Sequence, residues 1–239
     1  MDERLERAGV SYERAVFWGD AGGLEEAERG LDGVEADLAL ARGRLAHARF
    51  LGGGEEAADD GERSAVERAA VERESVERTA FERAAFERAA FERAVELYRR
   101  LGDVRGEAEA LFWVAIFHQV VRGDQESARP LLERARELAV RAGDRLTLSY
   151  VLRHQGIAEH VAGRLAAARE LLEESTRLRR EVGFPAGVAA NLVGLAYVAG
   201  QDGRPDEAGR LLDEARAVAG ECGADAVLRQ VEEAAQRLR

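Results

Sequence analysis

Residues 163–183 read GRLAAARELLEESTRLRREVG, and two other segments repeat this pattern at a spacing of forty residues. Residues 123–143 read GDQESARPLLERARELAVRAG, and residues 203–223 read GRPDEAGRLLDEARAVAGECG. Each copy opens on glycine, has alanine five residues later, continues with Leu-Leu and an acidic residue, and closes on glycine. Fixed periods of about 20 to 50 residues are typical of solenoids, in which each unit buries its apolar face against its neighbours. The repeat therefore predicts stacked helical hairpins.

Composition supports an all-helical protein. Of 239 residues, 46% are hydrophobic, 34% are charged and only three are proline, which is typical of helix-rich chains. The chain has 35 basic and 46 acidic residues, a net charge of −11, and it contains no lysine. Nucleic-acid affinity comes mainly from clustered basic residues that neutralise phosphates. We therefore expect no nucleic-acid partner.

The sequence predicts a cytoplasmic protein without a membrane partner. Its amino terminus, MDERLERAGV, is charged where a secretory signal carries an apolar core. The chain has no run of about 18 apolar residues, the length that a bilayer-spanning helix requires. Cys222 is the only cysteine, which excludes an internal disulfide. We expect Cys222 to be a buried structural residue.

The pattern divides the chain into regions with different predicted structures. Residues 102–221 form three two-helix repeats, and a capping helix follows at 222–239. Upstream, residues 1–51 form a degenerate repeat region, in which 1–31 make a hairpin around Gly22-Gly23 and Leu38–Leu51 form a further first helix. Between these two parts we predict a flexible linker at 52–61 and a long helix at 62–101. The three repeats within 102–221 are 102–142, 143–182 and 183–221.

The long helix carries a second, shorter repeat. Residues 64–93 read SAVER, AAVER, ESVER, TAFER, AAFER and AAFER. Five residues advance about 500° around a helix, so the apolar residues face all directions, and an unbroken helix over 62–100 would be about 58 Å long. Apolar groups on all sides of a helix are expected either in a buried helix or in one that packs against a partner. We therefore predict that Val71, Val76, Phe81 and Phe86 form a homo-oligomer or partner surface; the alternative is a repeat expanded by slippage, without a role.

The forty-residue units resemble the tetratricopeptide repeat (TPR) family, in a long-period bacterial form. Gly156, Gly163, Ala168 and Ser175 fall at the family's spacing of small residues, and GLAYVAGQDGRPDEA, residues 194–208, is similar to its commonest segment. The period of forty exceeds the family's usual 34. The resemblance implies an all-α fold, a right-handed α-solenoid of antiparallel helix hairpins with one unusually long helix here.

In that family the first helix of each unit lines a concave groove, and the resemblance implies the lining residues of this chain. Aromatic anchors with a few polar groups suit a peptide or small ligand. The alternative is that the large aromatic residues fill core between the repeats. The implied ligand-binding residues are Arg44, His47, Trp113, Phe117, Tyr150, Arg153, Ile157, His160, Asn191 and Tyr197.

Signals of catalysis are weak in this sequence. The four histidines include no pair at the i, i+4 spacing that places two metal ligands on one helix face. We therefore predict no metal, no cofactor and no catalytic residues, although the sequence leaves enzymatic activity open. The predicted function is a non-enzymatic scaffold or regulatory adaptor that binds a protein or peptide. The alternative is an enclosed small-molecule or catalytic pocket that uses His160, Arg153 and Tyr150.

Overall fold

The computed structural model describes residues 2–18, 20–52 and 85–238, and all regular structure in these residues is helical. The predicted all-α class is therefore confirmed. Helix α4 continues into a single π-helical turn, Phe117–Val121. The helices are α1 Glu3–Trp18, α2 Leu24–Gly52, α3 over residues 85–101, α4 Val104–Ile116, α5 Gln125–Ala142, α6 Arg145–Val161, α7 Leu165–Glu181, α8 Pro185–Gln201, α9 Pro205–Glu221 and α10 Asp225–Arg237.

The chain divides into two compact units, Met1–Asp124 and Gln125–Arg239. The boundary falls between the two helices of the first predicted repeat, 102–142. In the second unit, α5 to α10 each pack against the next helix in sequence, and α6 contacts α8 as α8 contacts α10. The second unit is therefore a series of helical hairpins in which neighbours supply the core.

Each hairpin depends on glycines that end helices in the left-handed conformation. Gly163 has φ +74°; its N–H bonds to the carbonyl of His160, and the N–H of Arg164 bonds to the carbonyl of Glu159. This pair of bonds defines a Schellman motif, which satisfies carbonyls that the helix end leaves free. The same pair of bonds closes the helices before Gly102, Gly143, Gly183, Gly203 and Gly223.

The repeated Leu-Leu pair places one residue in the core and one at its edge. Leu132, Leu172 and Leu212, the second residue of each pair, are at most 5% exposed. The alanines of the repeat, Ala128, Ala168 and Ala208, are equally buried. The first leucine of each pair is half-buried. Adjacent side chains on a helix point about 100° apart, so the two leucines cannot both face the core.

Helix α2 corrects the predicted organisation of the amino-terminal region. The turn at Gly22-Gly23 is present. The second helix of the predicted hairpin and the first helix predicted at Leu38–Leu51 are one element, since α2 is a continuous helix of 29 residues. This stretch contains no proline to break it. A side chain on Gly43 would lie only 2.4 Å from Cε1 of Phe91, so the glycine lets α3 approach α2 closely.

Several predictions fall at the edge of the described residues. Residues 53–61 of the predicted linker 52–61, the first part of the predicted long helix, and Val71, Val76 and Phe81 lie outside them. Gly52, predicted to begin the linker, is the last residue of α2. Phe86 lies within α3 and is exposed. Cys222 is exposed at the end of α9 rather than buried as expected; it follows the last buried alanine of the helix by three residues.

Replacing a capping glycine tests the structural basis of the hairpins. Gly163→Ala should destabilise the second unit by about 1 kcal/mol, because an L-residue pays a steric cost at positive φ. Gly209→Ala is the matched control: it lies within α9, and its new methyl group would have no neighbour within 4 Å. That variant should gain up to about 1 kcal/mol from helix propensity. Urea unfolding of both proteins measures the difference, and equal stabilities would contradict the role given to Gly163.

Candidate functional site

The predicted ligand-binding residues fall into two clusters, one in each compact unit. Arg44, His47, Trp113 and Phe117 belong to the first unit, and the other six belong to the second.

In the first unit, Trp113 is the centre of an aromatic cluster between α2, α3 and α4. Its ring stacks on Phe91 at 5.6 Å and meets the edge of His47 at 5.4 Å. The Arg44 guanidinium lies 5.5 Å from the centre of the Trp113 ring and forms an ion pair with Glu109. Trp113 is half-buried and Phe117 is buried. The cluster is therefore the edge of a packed core, and its exposed cation, Arg44, already has a carboxylate partner in Glu109.

The first cluster also contains a residue that we did not single out from the sequence. Nδ1 of His47 lies 2.9 Å from Oε1 of Glu87, and both side chains are buried. Glu87 belongs to the pentapeptide repeat, in which every copy carries the same glutamate. The sequence therefore held no signal that distinguished Glu87 from the other glutamates.

In the second unit, α6 presents Tyr150, Arg153, Ile157 and His160 along one face. Their spacing of three and four residues keeps them on one side of the helix, and all four are half-buried. Tyr197 of α8 is also half-buried and packs against the core. Asn191 of α8 is fully buried, so it lies beneath this face rather than on it.

Asn191 joins two arginines from different helices. Nη1 of Arg153 donates to the Asn191 Oδ1 at 2.9 Å and to the carbonyl oxygen of Ala190 at 2.8 Å. Nη1 of Arg179 donates to the same Oδ1 atom at 2.9 Å. Nδ2 of Asn191 donates to Oγ of Ser175 at 2.8 Å. We call Tyr150, Arg153, Arg179 and Asn191 the arginine site.

Arg179 is the more deeply placed of the two arginines. It is 2% exposed, and its Nη1 also donates to the carbonyl oxygen of Gly187 at 2.8 Å. Its guanidinium carbon lies 5.0 Å from the centre of the Tyr150 ring and 5.4 Å from that of Phe184. Cation–π contacts of this kind compensate part of the cost of removing a guanidinium from water.

Neither arginine has a carboxylate partner among the residues that the structure describes. Burial lowers the pKa of Arg153 to about 10. Burial and then the positive charge of Arg153 lower the pKa of Arg179 to about 9. Both values lie above 7, so both groups are charged at neutral pH. The arginine site therefore concentrates two positive charges in a chain whose net charge is −11.

Comparison of the repeats shows how unusual these residues are. Arg179 stands forty residues from Ala139 and Ala219, and both alanines are fully buried. Asn191 stands forty residues from Val151 and Val231, which are also fully buried. The arginine site thus replaces apolar core positions of the neighbouring repeats. Arg179 was not among the predicted site residues, although this alignment of the repeats contained the signal.

His160 is not linked to the arginine site in the described structure. Its Nε2 atom is buried and has no hydrogen-bond partner there, and no hydrogen bond joins its side chain to Tyr150 or Arg153. Such a bond would be needed for His160 to orient either group in acid–base chemistry.

A separate groove of about 470 Å³ lies between α5, α6 and α7. Its lining from α6 includes Gln155, Ala158 and Glu159, which helical spacing puts on the side of α6 opposite to Arg153. Within the described ranges, no group of three or more His, Cys, Asp or Glu residues is arranged to hold a metal ion. Nor does any helix in the described ranges combine the length and apolarity needed to cross a membrane.

Comparison with known proteins does not place this chain in a family. The sequence matches no model of a protein family and no curated protein.

Removing the shared acceptor tests whether Asn191 holds the arginine site together. Asn191→Val, which copies Val151 and Val231, should destabilise the second unit by about 1 to 3 kcal/mol, because buried donors of both arginines lose their acceptor. The double variant Asn191→Val, Arg179→Met should lose less stability than the sum of the two single variants, since groups in one network are coupled.

Denaturant unfolding of the four proteins measures this coupling. Arg177→Met on the exposed side of α7 is the control, and it should change stability by less than about 0.5 kcal/mol. Full stability of Asn191→Val would show that Asn191 does not support the arginines.

Proposed function

We propose that this chain is a non-enzymatic binding module of TPR-like, right-handed solenoid type, which captures a protein segment or peptide on the face of α6. The observation that carries the proposal is the arginine site, where two charged guanidinium groups have no carboxylate partner in the described residues. In this proposal the chain acts in the cytoplasm as a regulatory adaptor.

The energetic argument starts from the cost of burying an unpaired charge. An uncompensated buried charge costs several kcal/mol, and both neighbouring repeats avoid that cost by using alanine at the position of Arg179. An anionic ligand would offset it. A carboxylate suits the planar guanidinium fork, which can donate two parallel hydrogen bonds.

Arg153 is the residue that would contact the ligand. Part of its side chain is open to solvent, since the residue is half-buried, while its Nη1 is fixed by Ala190 and Asn191. Arg179 is almost fully buried and acts beneath it, adding positive charge and fixing the amide of Asn191. A guanidinium held in one orientation loses less side-chain entropy when it binds.

The shape of the surrounding face favours a chain segment as the ligand. Tyr150, Arg153, Ile157 and His160 form a row along α6 that is about 15 Å long at 1.5 Å per residue. An extended peptide of about five residues spans that distance. The half-buried Tyr150 and Ile157 supply apolar contact on both sides of Arg153, as peptide anchors require.

Peptide selection tests this function. A random-peptide phage library selected on the wild-type protein should yield acidic sequences, and synthetic fluorescent copies should bind in an anisotropy titration. Arg153→Gln should weaken binding of the selected acidic peptide at least roughly thirtyfold, which corresponds to about 2 kcal/mol for a lost charged contact. A peptide in which the acidic residue is replaced by its amide should bind both proteins equally weakly.

The control is Arg177→Gln, which removes the same charge from an exposed position of α7 and should leave peptide affinity unchanged. Arg153→Lys should be intermediate, because it keeps the charge but loses the planar fork. Failure to select any peptide, or equal affinity of the wild type and Arg153→Gln for the acidic peptide, would overturn the proposal.

A further inference from the structure

Helix α2 exposes a row of leucines that its own fold does not use. Leu24, Leu31, Leu38 and Leu45 recur at every seventh residue, and each is between 40% and 59% exposed. The residues that bury α2 in the first unit are Ala36, Leu40, Gly43 and His47. Helical spacing puts these core residues on the opposite side of α2. The helix is therefore apolar on two faces. The leucines of the second face remain exposed, although α1 packs beside the amino-terminal half of that face, near Ala27 and Gly30.

The exposed face has the pattern of a coiled-coil seam. A small apolar residue follows each leucine by three positions: Ala27, Val34, Ala41 and Ala48. Alternating spacings of three and four residues give the a and d positions of a heptad repeat, the pattern by which two helices pack along their length. At 1.5 Å per residue the seam is about 36 Å long from Leu24 to Ala48.

Charge is segregated along the same helix. Six acidic residues and one arginine lie between Leu24 and Asp37, whereas the segment from Leu38 to Gly52 has three arginines and no acidic residue. The helix dipole favours acidic residues in the first turn and basic residues in the last. Glu35, Asp37 and Arg44 also form ion pairs within the chain, with Arg93, Arg4 and Glu109. Neither the dipole nor an ion pair among the described residues accounts for Glu28 and Arg42, which lie beyond the first and last turns.

We propose that α2 pairs in antiparallel orientation with α2 of a second copy of this chain. Antiparallel pairing puts the acidic half of each helix beside the basic half of the other, whereas parallel pairing would put like charges together. It also matches side-chain size, since Leu24 then meets Ala48 of the second copy and Leu31 meets Ala41. Large residues facing small ones fill a helix interface without voids.

Charges that flank the seam are available for this pairing. Glu28, Arg42 and Arg49 are exposed, and within the described part of the chain none of them forms an ion pair. In the antiparallel register, Glu28 lies beside Arg42 and Arg49 of the second copy. Such contacts fix partner and orientation more than they add affinity.

Phe86 extends this apolar surface from α3. It lines a small cavity of about 180 Å³ together with Leu38 and Arg42, and its side chain is exposed. Phe86 is also the one described member of the oligomer surface predicted from the pentapeptide repeat. The proposed interface is therefore centred on α2 and includes the part of α3 that carries Phe86.

Molar mass in solution tests the proposal. Sedimentation velocity of the full chain should give a dimer, twice the chain mass of 26.1 kDa. Leu38→Glu should weaken dimerisation at least tenfold, because two charges would enter the centre of the seam. The control Leu146→Glu replaces a leucine that is exposed to a similar degree on α6, and it should leave the dimer intact. Circular dichroism melting of both variants confirms that they are folded.

Cysteine crosslinking tests the orientation. In a Cys222→Ser background, Leu24→Cys and Ala48→Cys chains are prepared separately and then mixed under oxidising conditions. Antiparallel pairing predicts a disulfide between the two different chains and none within either preparation alone, because identical positions lie about 36 Å apart along the dimer.

Three results would overturn the proposal. The first is a wild type that is monomeric at about 100 μM. A monomer that Leu38→Glu makes less stable counts among these results, because it would mean that residues 53–84 of the same chain cover the seam. The second is a dimer that persists unchanged in Leu38→Glu. The third is crosslinking of Leu24→Cys to itself, which would show parallel pairing.

Discussion

The left-handed glycines that follow helices α3 to α9 are the constraint on which the rest of the structure depends. From Gly102 to Gly223, the recurrent positive-φ glycines satisfy the last carbonyls of one helix and redirect the chain into the next. From Gly143 to Gly223 their separation of twenty residues accompanies helices of 17 residues in α6 to α9. Because these helices are equal in length, equivalent residues in successive hairpins occupy equivalent places in the core.

Because the hairpins are regular, the arginine site stands out as a departure from the repeated packing. Where each hairpin repeats the same packing, an arginine at a position that holds alanine in both neighbours is a departure that packing does not require. Arg179 is held in place by Asn191, by the carbonyl of Gly187 and by two aromatic rings. The network satisfies hydrogen bonds but does not neutralise charge. The binding role proposed for Arg153 and Arg179 would explain why these positions carry charge at the cost of burying it.

The two units use apolar surface differently. In the second unit each apolar stripe meets a neighbouring helix, so that the hairpins bury one another. In the first unit α2 buries one face against α3 through Gly43 and Phe91, while the leucines of the opposite face remain exposed. Assembly through that face and ligand capture in the second unit would use different residues, so either function can be removed without the other.

The sequence by itself determined the helical class and the hairpin turns of the second unit, because glycine conformation and helical periodicity are local properties. It also pointed to Tyr150, Arg153 and Asn191, although not to their relationship. Only the tertiary structure decided that Asn191 lies beneath the surface and joins Arg153 to Arg179, since those contacts bring together residues of three helices. It likewise decided that α2 is continuous and that His47 meets Glu87, because identical pentapeptides carry no information about which copy packs against which helix.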